Sequence, residues 1–265
     1  MKSIFSILSA AVFFNGIAQP LLAADNYSLW PRRPAELEQA RRLLREQKGA
    51  EAVHLLQPFI HDSGIAGREA RQITGSVNVQ RYLSRRHPDA RVYTVKSGDN
   101  IFKIAAAEKC PFELIMLLNG IVEPAGLRVG QKLVLVPMNC RLTVDLVQHE
   151  LSVWDGDTLV ADYPVLETNG LAAALQKTGE PEAHLSARES YLEGVRLPQR
   201  SVQVLSGDKV LLLDNGLCII GSVAKSTPYV KIDSRDLNEL SLLLVEGAPI
   251  RIVSSANRPA ATPAG

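Results

Sequence analysis

The chain has little of several things that carry function elsewhere. Aromatic residues are only 5% of it, with two tryptophans, which leaves few rings for a stacking surface. It has almost no net charge, +1 over 265 residues, so no strong field steers it toward nucleic acid. Cysteine is scarce and odd in number: Cys110, Cys140 and Cys218. At most one internal disulfide can form from three thiols, and Cys110–Cys140 is the candidate pair. The alternative is three buried thiols acting as small hydrophobes. No pair has the spacing of a zinc site and the histidines are scattered, so neither metal nor cofactor is expected.

The chain begins with "MKSIFSILSAAVFFNGIAQPLLAAD". Lys2 supplies a positive start, an apolar stretch runs from Ile4 to Ile17, and Leu22-Ala23-Ala24 ends in small residues. That is the layout of a secretory signal cut near Ala24. A membrane anchor is the competing reading, but Asn15, Gln19 and Pro20 interrupt the run. No cysteine comes directly after it, as a lipoprotein would need. The expectation is export, no membrane span after cleavage, and residence in the periplasm or cell wall.

Residues 35–86 carry helical periodicity. Leu37, Ala40, Leu43 and Leu44 share a face, Gly49 interrupts, and Ala52, Leu55, Leu56 and Phe59 repeat the stripe. A third run has Ala66, Ala70, Ile73 and Val77. The two short helices joined at Gly49 form a hairpin with a faint resemblance to one tetratricopeptide unit. One such unit cannot bury its own face. Residues 25–90 are therefore expected to cap the remainder of the chain, or to offer a partner surface. This segment has a mild basic excess, read as solvated helix faces.

Pro88 ends the helical region. Between Tyr93 and Pro137 the order is strand, helix, helix, strand. Asp99 is expected to cap a helix over residues 100–108, Cys110-Pro111 breaks it, and a second helix over residues 112–118 stops at Asn119-Gly120. From Arg141 the pattern alternates as strands. Leu142, Val144 and Leu146 precede Leu151 and Val153, a turn at Asp155-Gly156, and a strand over residues 158–166. Residues 167–200, with several Gly and Pro, read mostly as loop. "SVQVL", "KVLLL" and "LCIIGSV" read as short strands. Ser234 is expected to cap a helix with Leu237, Leu240 and Leu244 on one face. A last strand runs from Pro249 to Val253, and the apolar-poor tail after Ser254 reads as disordered.

"YTVKSGDNIFKIAAAEKCPFELIMLLNGIVEPAGLRVGQKLVLVP" resembles the LysM family. Its opening signature is present as Tyr93, Val95, Gly98, Asp99, Asn100 and Ile101. Ala105 sits in the first helix, and Ile115, Leu118 and Asn119 in the second. The closing signature is Leu127, Gly130, Gln131, Leu133 and Pro137, with Leu135 where Val is usual. Most of these positions make structural sense alone: Gly98 permits a tight turn, and Ile101, Ile104, Ile115, Leu118 and Leu133 can fill a small core. The resemblance implies binding of an N-acetylglucosamine polymer, peptidoglycan or chitin. The groove would lie between the loops at Ser97, Gly98, Asp99, Asn100 and Ile101 and at Ile121, Val122 and Leu127. Asn119 or Asn100 would hydrogen-bond acetamido groups, and Ile121, Val122 and Leu127 would cover methyls. A single shallow groove should bind weakly.

The region from Arg141 to Val253 resembles the L,D-transpeptidase catalytic domain. "RLTVDLVQHELSVWDGDTLVADYPV" is similar to that family's first hairpin, and "VKIDSRDLNELSLLLVEGAPIRI" to its end. The family's chemistry needs a cysteine thiolate and a nearby histidine. Its Ser-His-Gly-Cys motif falls on "STPYVKI", so Thr227 stands for the histidine and Tyr229 for the nucleophile. The earlier His-Gly-Thr falls on Ile220-Gly221-Ser222. A phenol titrates near pH 10 against about 8.5 for a thiol and attacks carbonyls poorly. The resemblance thus implies a degenerate, non-catalytic domain serving as a scaffold.

The alternative is an active L,D-transpeptidase acting on stem peptides with Cys218 as a relocated nucleophile. A third reading is an interaction protein with an empty groove, whose helical cap binds an envelope protein partner. Glu180, Glu182 and Glu189 could pair for glycan cleavage, but in a polar loop they read as surface charge. His149 and His184 read as solvated.

The expected fold class is α+β multidomain, combining a helical hairpin, a βααβ module and a mainly-β domain. The expected segments are 1–24 signal peptide, 25–90 helical cap, 91–138 LysM, 139–254 degenerate L,D-transpeptidase-like domain, and 255–265 tail.

Overall fold

The computed structural model describes residues 34–171 and 182–254. The signal segment and the disordered tail expected from the sequence lie outside the described residues, as does Glu180. The fold is α+β. Three helices come first: α1 (Ala35–Arg45), α2 (Gly49–Leu56) and α3 (Ile65–Tyr82). Glu36 and Glu38 open α1 and Arg42 and Arg45 close it, matching charge to the ends of the helix dipole. Leu37, Ala40, Ala52, Leu56 and Ala70 form a small core among the three.

The βααβ module comes next. β1 (Arg91–Thr94) pairs antiparallel with β2 (Lys132–Leu135), and α4 (Ile101–Ala107) and α5 (Phe112–Asn119) lie between them. Gly120, at φ 62°, ends α5 in the left-handed region, a conformation that costs glycine nothing. The helix caps differ from expectation. The cap of α4 is Asn100, whose side chain accepts from Lys103 N at 2.9 Å. Asp99 points the other way, accepting from Tyr93 Oη at 2.8 Å and Lys96 N at 2.7 Å, so it fixes the turn before the helix.

The remainder is a ten-stranded mixed sheet. Its strands are β3 (Arg141–Asp145), β4 (Glu150–Asp155), β5 (Thr158–Pro164), β6 (Glu167–Asn169), β7 (Glu182–Leu192), β8 (Val195–Leu197), β9 (Asp208–Leu213), β10 (Cys218–Ile220), β11 (Tyr229–Lys231) and β12 (Pro249–Val253). The order is β5-β4-β3-β12-β7-β9-β10-β11-β6, with β8 paired to β7. β12 runs parallel to β3 and β11 parallel to β10. Helix α6 (Ser234–Leu243) precedes β12 and is capped by Asp233 rather than Ser234, through Arg235 N.

Two further expectations change here. Residues 182–197 form the β7–β8 hairpin instead of a loop. Along β7 the buried Ala183 and Leu185 alternate with exposed His184 and Ser186, so the polar residues fall on the outward face of a strand. "SVQVL" is a chain of turns, with Val204 N bonded to Ser201 O at 3.1 Å. Its alternation reflects only Val204 being buried.

Helix α3 is fastened to the sheet. Arg71 is buried and donates to Ile60 O at 3.1 Å, Asp62 O at 2.9 Å and Glu150 Oε2. Arg68 Nε meets Glu150 Oε1 at 2.8 Å. Further along, Asn78 Nδ2 donates to Leu159 O at 2.7 Å and Tyr82 Oη to Asp155 Oδ2 at 3.0 Å. Gly75 lies so close to β5 that a Cβ there would sit 2.8 Å from Asp162 N and 3.0 Å from Ala161 Cα. In a free helix Gly→Ala gains up to about 1 kcal/mol. Here Gly75→Ala is expected to destabilise the protein by roughly 1–3 kcal/mol, because neither backbone can give way. Urea denaturation of the two proteins checks this.

Beneath Arg71 lies Asp162, which accepts from Ser152 Oγ at 2.5 Å and stands 3.9 Å from Arg71 Nε. Burial, which Ser152 only partly offsets, pushes its carboxyl up to about 7. A carboxyl whose folded value is raised contributes most to stability below its unfolded value, near 4, and loses that contribution as pH rises through about 7. Stability is therefore expected to fall between pH 4 and pH 7.5, and Asp162→Asn to flatten that slope. Urea midpoints across the range read it out.

Candidate functional site

Two regions gather the residues singled out in the sequence. In the βααβ module the loop before α4 and the loop after α5 stand at its surface. Ser97, Gly98 and Asn100 are exposed, Asp99 and Leu127 are half-buried, and Val122 is 70% exposed. Three expected contact residues belong to the interior instead. Ile101 is fully buried in the core and Ile121 is almost so. Asn119 donates to Ile115 O and Val134 O and accepts from Val134 N, each at 2.8 Å. Both of its amide protons are spent on joining α5 to β2, so it holds the groove rather than lining it. Of the expected contact residues, Ser97, Gly98, Asn100 and Val122 are exposed and Asp99 and Leu127 are half-buried.

The second region is the sheet around β10 and β11. Parallel pairing sets Cys218 opposite Tyr229 and Ile220 opposite Lys231. Thr227 Oγ1 comes within 3.4 Å of Cys218 Sγ, and Pro228 O accepts from the same sulfur at 3.6 Å. The structure thus brings Cys218, Thr227 and Tyr229 together, with Ile220 buried beside them. Burial pushes the Cys218 thiol up, and the Thr227 hydrogen bond only partly opposes it. The charged groups that act on it are Lys225 and Glu189, with no imidazole among them. Tyr229 Oη donates to Glu167 Oε1 at 2.6 Å, which raises the phenol further.

Three of the five histidines are engaged elsewhere. His61 stacks on Trp154 and His87 packs edge-on to Tyr82. His184, on β7, lies 3.1 Å from Asp214 Oδ2.

A polar cluster beside Cys218 was not legible in the sequence. Lys225 Nζ donates to Tyr191 Oη at 2.6 Å and Glu189 Oε2 at 3.1 Å, Tyr191 Oη donates to Glu189 Oε2 at 2.6 Å, and Arg196 Nε meets Glu189 Oε1 at 3.1 Å. Glu189 and Tyr191 are two residues apart and so share a face of β7. Reading residues 182–192 as a strand would have exposed that spacing. Glu189, the one carboxylate in the cluster, is shared by two cations and a phenol, so it offers no free base to the thiol.

All three cysteines are free and buried. Burial raises Cys110 to about 11 and Cys140 to about 12. The suggested Cys110–Cys140 bridge is thus absent. Among the described residues no group of three or more His, Cys, Asp or Glu could hold a metal ion, and no helix is long and apolar enough to cross a membrane.

The LysM domain family matches residues 93–136, the βααβ module, so that segment is a LysM domain. Among solved structures, the chain is similar to L,D-transpeptidase 1 of Mycobacterium tuberculosis, with 10% identity and a TM-score of 0.29 over 47% of this chain and 66% of that one. It is similar also to an L,D-transpeptidase from Mycobacterium smegmatis, with 13% identity and a TM-score of 0.28 over 48% and 65%. The match spans just under two thirds of each of those chains. No curated protein matches the chain.

Because a raised pKa and burial both suppress the thiolate, native protein at pH 8 is expected to resist alkylation at Cys110, Cys140 and Cys218. All three should react in concentrated urea. Mass spectrometry after brief iodoacetamide treatment counts them.

Proposed function

We propose that this is an exported envelope protein that holds peptidoglycan, or another N-acetylglucosamine-containing polymer, through its LysM domain. The sheet region would act as a non-catalytic L,D-transpeptidase-like scaffold. The observation that carries the reading is the LysM match over residues 93–136 on a closed βααβ module. The segments proposed are those of the sequence: signal to residue 24, helical cap to 90, LysM domain to 138, sheet domain to 254.

Several features support the scaffold role. Where a transpeptidase needs a thiolate and an imidazole, this chain has Tyr229 and Thr227. Cys218, the one thiol nearby, is buried with its pKa raised, and no histidine acts on it. A nucleophile must be exposed and ionised to attack a carbonyl. The carboxylate nearest it, Glu189, is already paired with Arg196 and Lys225 and cannot serve as its base.

The test is co-sedimentation of the mature full-length chain with purified sacculi. The chain is expected to pellet with them. Val122→Glu alters only an exposed groove residue and is expected to weaken binding about tenfold, the equivalent of about 1.4 kcal/mol. Failure of the unaltered protein to pellet overturns the proposal. Thiol-sensitive release of D-alanine from stem peptides, lost in Cys218→Ala, would overturn the scaffold role.

A further inference from the structure

A cleft runs between the LysM domain and the loop after β8. Its wider part, about 660 Å³, is lined by Asn100, Phe102, Lys103 and Ala106 on one side and by Pro198, Gln199 and Arg200 on the other. It continues inward past Phe102, Ala106 and Gln199 into a second space of about 480 Å³ that reaches Arg188 and Gly247. The wide part begins at Asn100, which also borders the expected glycan groove.

The chemistry of the wide part is one-sided, whereas Glu246 lines the inner space. The seven residues include two cations and no carboxylate. Neither Lys103 nor Arg200 forms an ion pair with a described residue. Lys103 Nζ reaches only Gly98 O, at 3.2 Å, which holds the ammonium over the loop that opens α4. The nearest acid in sequence, Asp99, accepts from Tyr93 Oη and Lys96 N, and its charge acts on Lys103 without forming an ion pair. The same lining includes an aromatic ring and two primary amides. Phe102 is backed by Phe112, with centroids 4.9 Å apart, so the ring is held in place. An apolar face beside amides suits an N-acetylated sugar, and paired cations suit an acid attached to it.

The two walls are held in register by buried charge. Glu113, on α5, stands 3.7 Å from Arg188 on β7. Arg188 Nη1 also donates to Ser241 O at 2.9 Å and Leu244 O at 3.0 Å. The loop after β8 is pinned from beneath, because buried Lys209 donates to Val204 O and, at 2.9 Å, to Ser190 Oγ. That anchors, at Val204, the loop that carries Arg200.

We infer that Lys103 and Arg200, which both line this cleft, extend the LysM groove into a composite site for a glycan strand that carries carboxylates. It would favour acidic wall polymer over neutral N-acetylglucosamine chains. This rests on the proposed function, because the strand must first occupy the groove. The carboxylate can sit on the sugar itself or on an attached peptide, and either meets the same two cations.

The test compares three probes on the full mature chain: neutral N-acetylglucosamine oligomers, peptidoglycan strands stripped of their peptides, and strands that keep them. Each is titrated against the unaltered protein and Lys103→Gln/Arg200→Gln. Both positions are exposed, so folding should be unaffected, and a matched melting temperature confirms it. The double variant is expected to lose about tenfold in affinity for one or both carboxylate-bearing probes and less than about twofold for the neutral oligomers. Salt near 0.5 M should erase the difference. The probe that responds tells which carboxylate is read. Equal affinities for all three probes in both proteins would overturn the inference while leaving glycan binding intact. No binding of any probe would overturn the proposed function and the inference with it.

Discussion

One buried contact ties the three parts of the fold after α3 together. Glu113 belongs to the LysM domain, Arg188 to the longest strand of the sheet, and the carbonyls of Ser241 and Leu244 to the end of α6. The two side chains are almost fully enclosed. Removing two charges from water is costly, and their attraction repays it only when further hydrogen bonds satisfy them. Arg188 meets that condition only in part: Nη1 donates to two carbonyls, while its Nε and Glu113 Oε2 are buried with no hydrogen-bond partner. Taking away either partner would strand the other in the interior, so the pair fixes relative position more than it adds stability. The same logic operates at the far edge of the sheet, where Arg68 and Arg71 of α3 close on Glu150 of β4.

Packing agrees with these ionic ties. Leu114, Ile115 and Leu133 of the LysM domain share one apolar cluster with Leu142, Val144, Ile250 and Ile252 of the sheet. Met138 and Cys140, between the two, are buried as well. The LysM domain is therefore not a bead on a string. Its core is closed from outside by the sheet, which a unit of about 45 residues needs, since so short a chain buries little surface by itself.

How much of this the residues disclosed depended on range. Local signals were read well: the helical stripes of α1 and α2, the Asn119-Gly120 stop, and the hairpin at Gly156 rest on neighbours a few positions apart. The caps of α4 and α6 were each placed one residue off, because adjacent polar residues compete and only the backbone decides which faces the open N–H groups. β7 was missed because its outward residues are polar and its inward face is carried by few apolar side chains. Asn119 and Ile101 turn inward for a different reason. Sequence marks the loops that border a groove, but not which side chains turn inward from them. The Glu189–Tyr191–Lys225 cluster and the shared cleft of Lys103 and Arg200 join distant positions, and no spacing rule could have paired them.

The burial of Met138 and Cys140 has a consequence for how the molecule meets its surroundings. A tethered sugar-gripper would let the rest of the chain swivel about the strand it holds. Here the joint is solid, so the direction of a gripped strand dictates the orientation of the whole sheet, and every copy seated on parallel strands would present the same face outward.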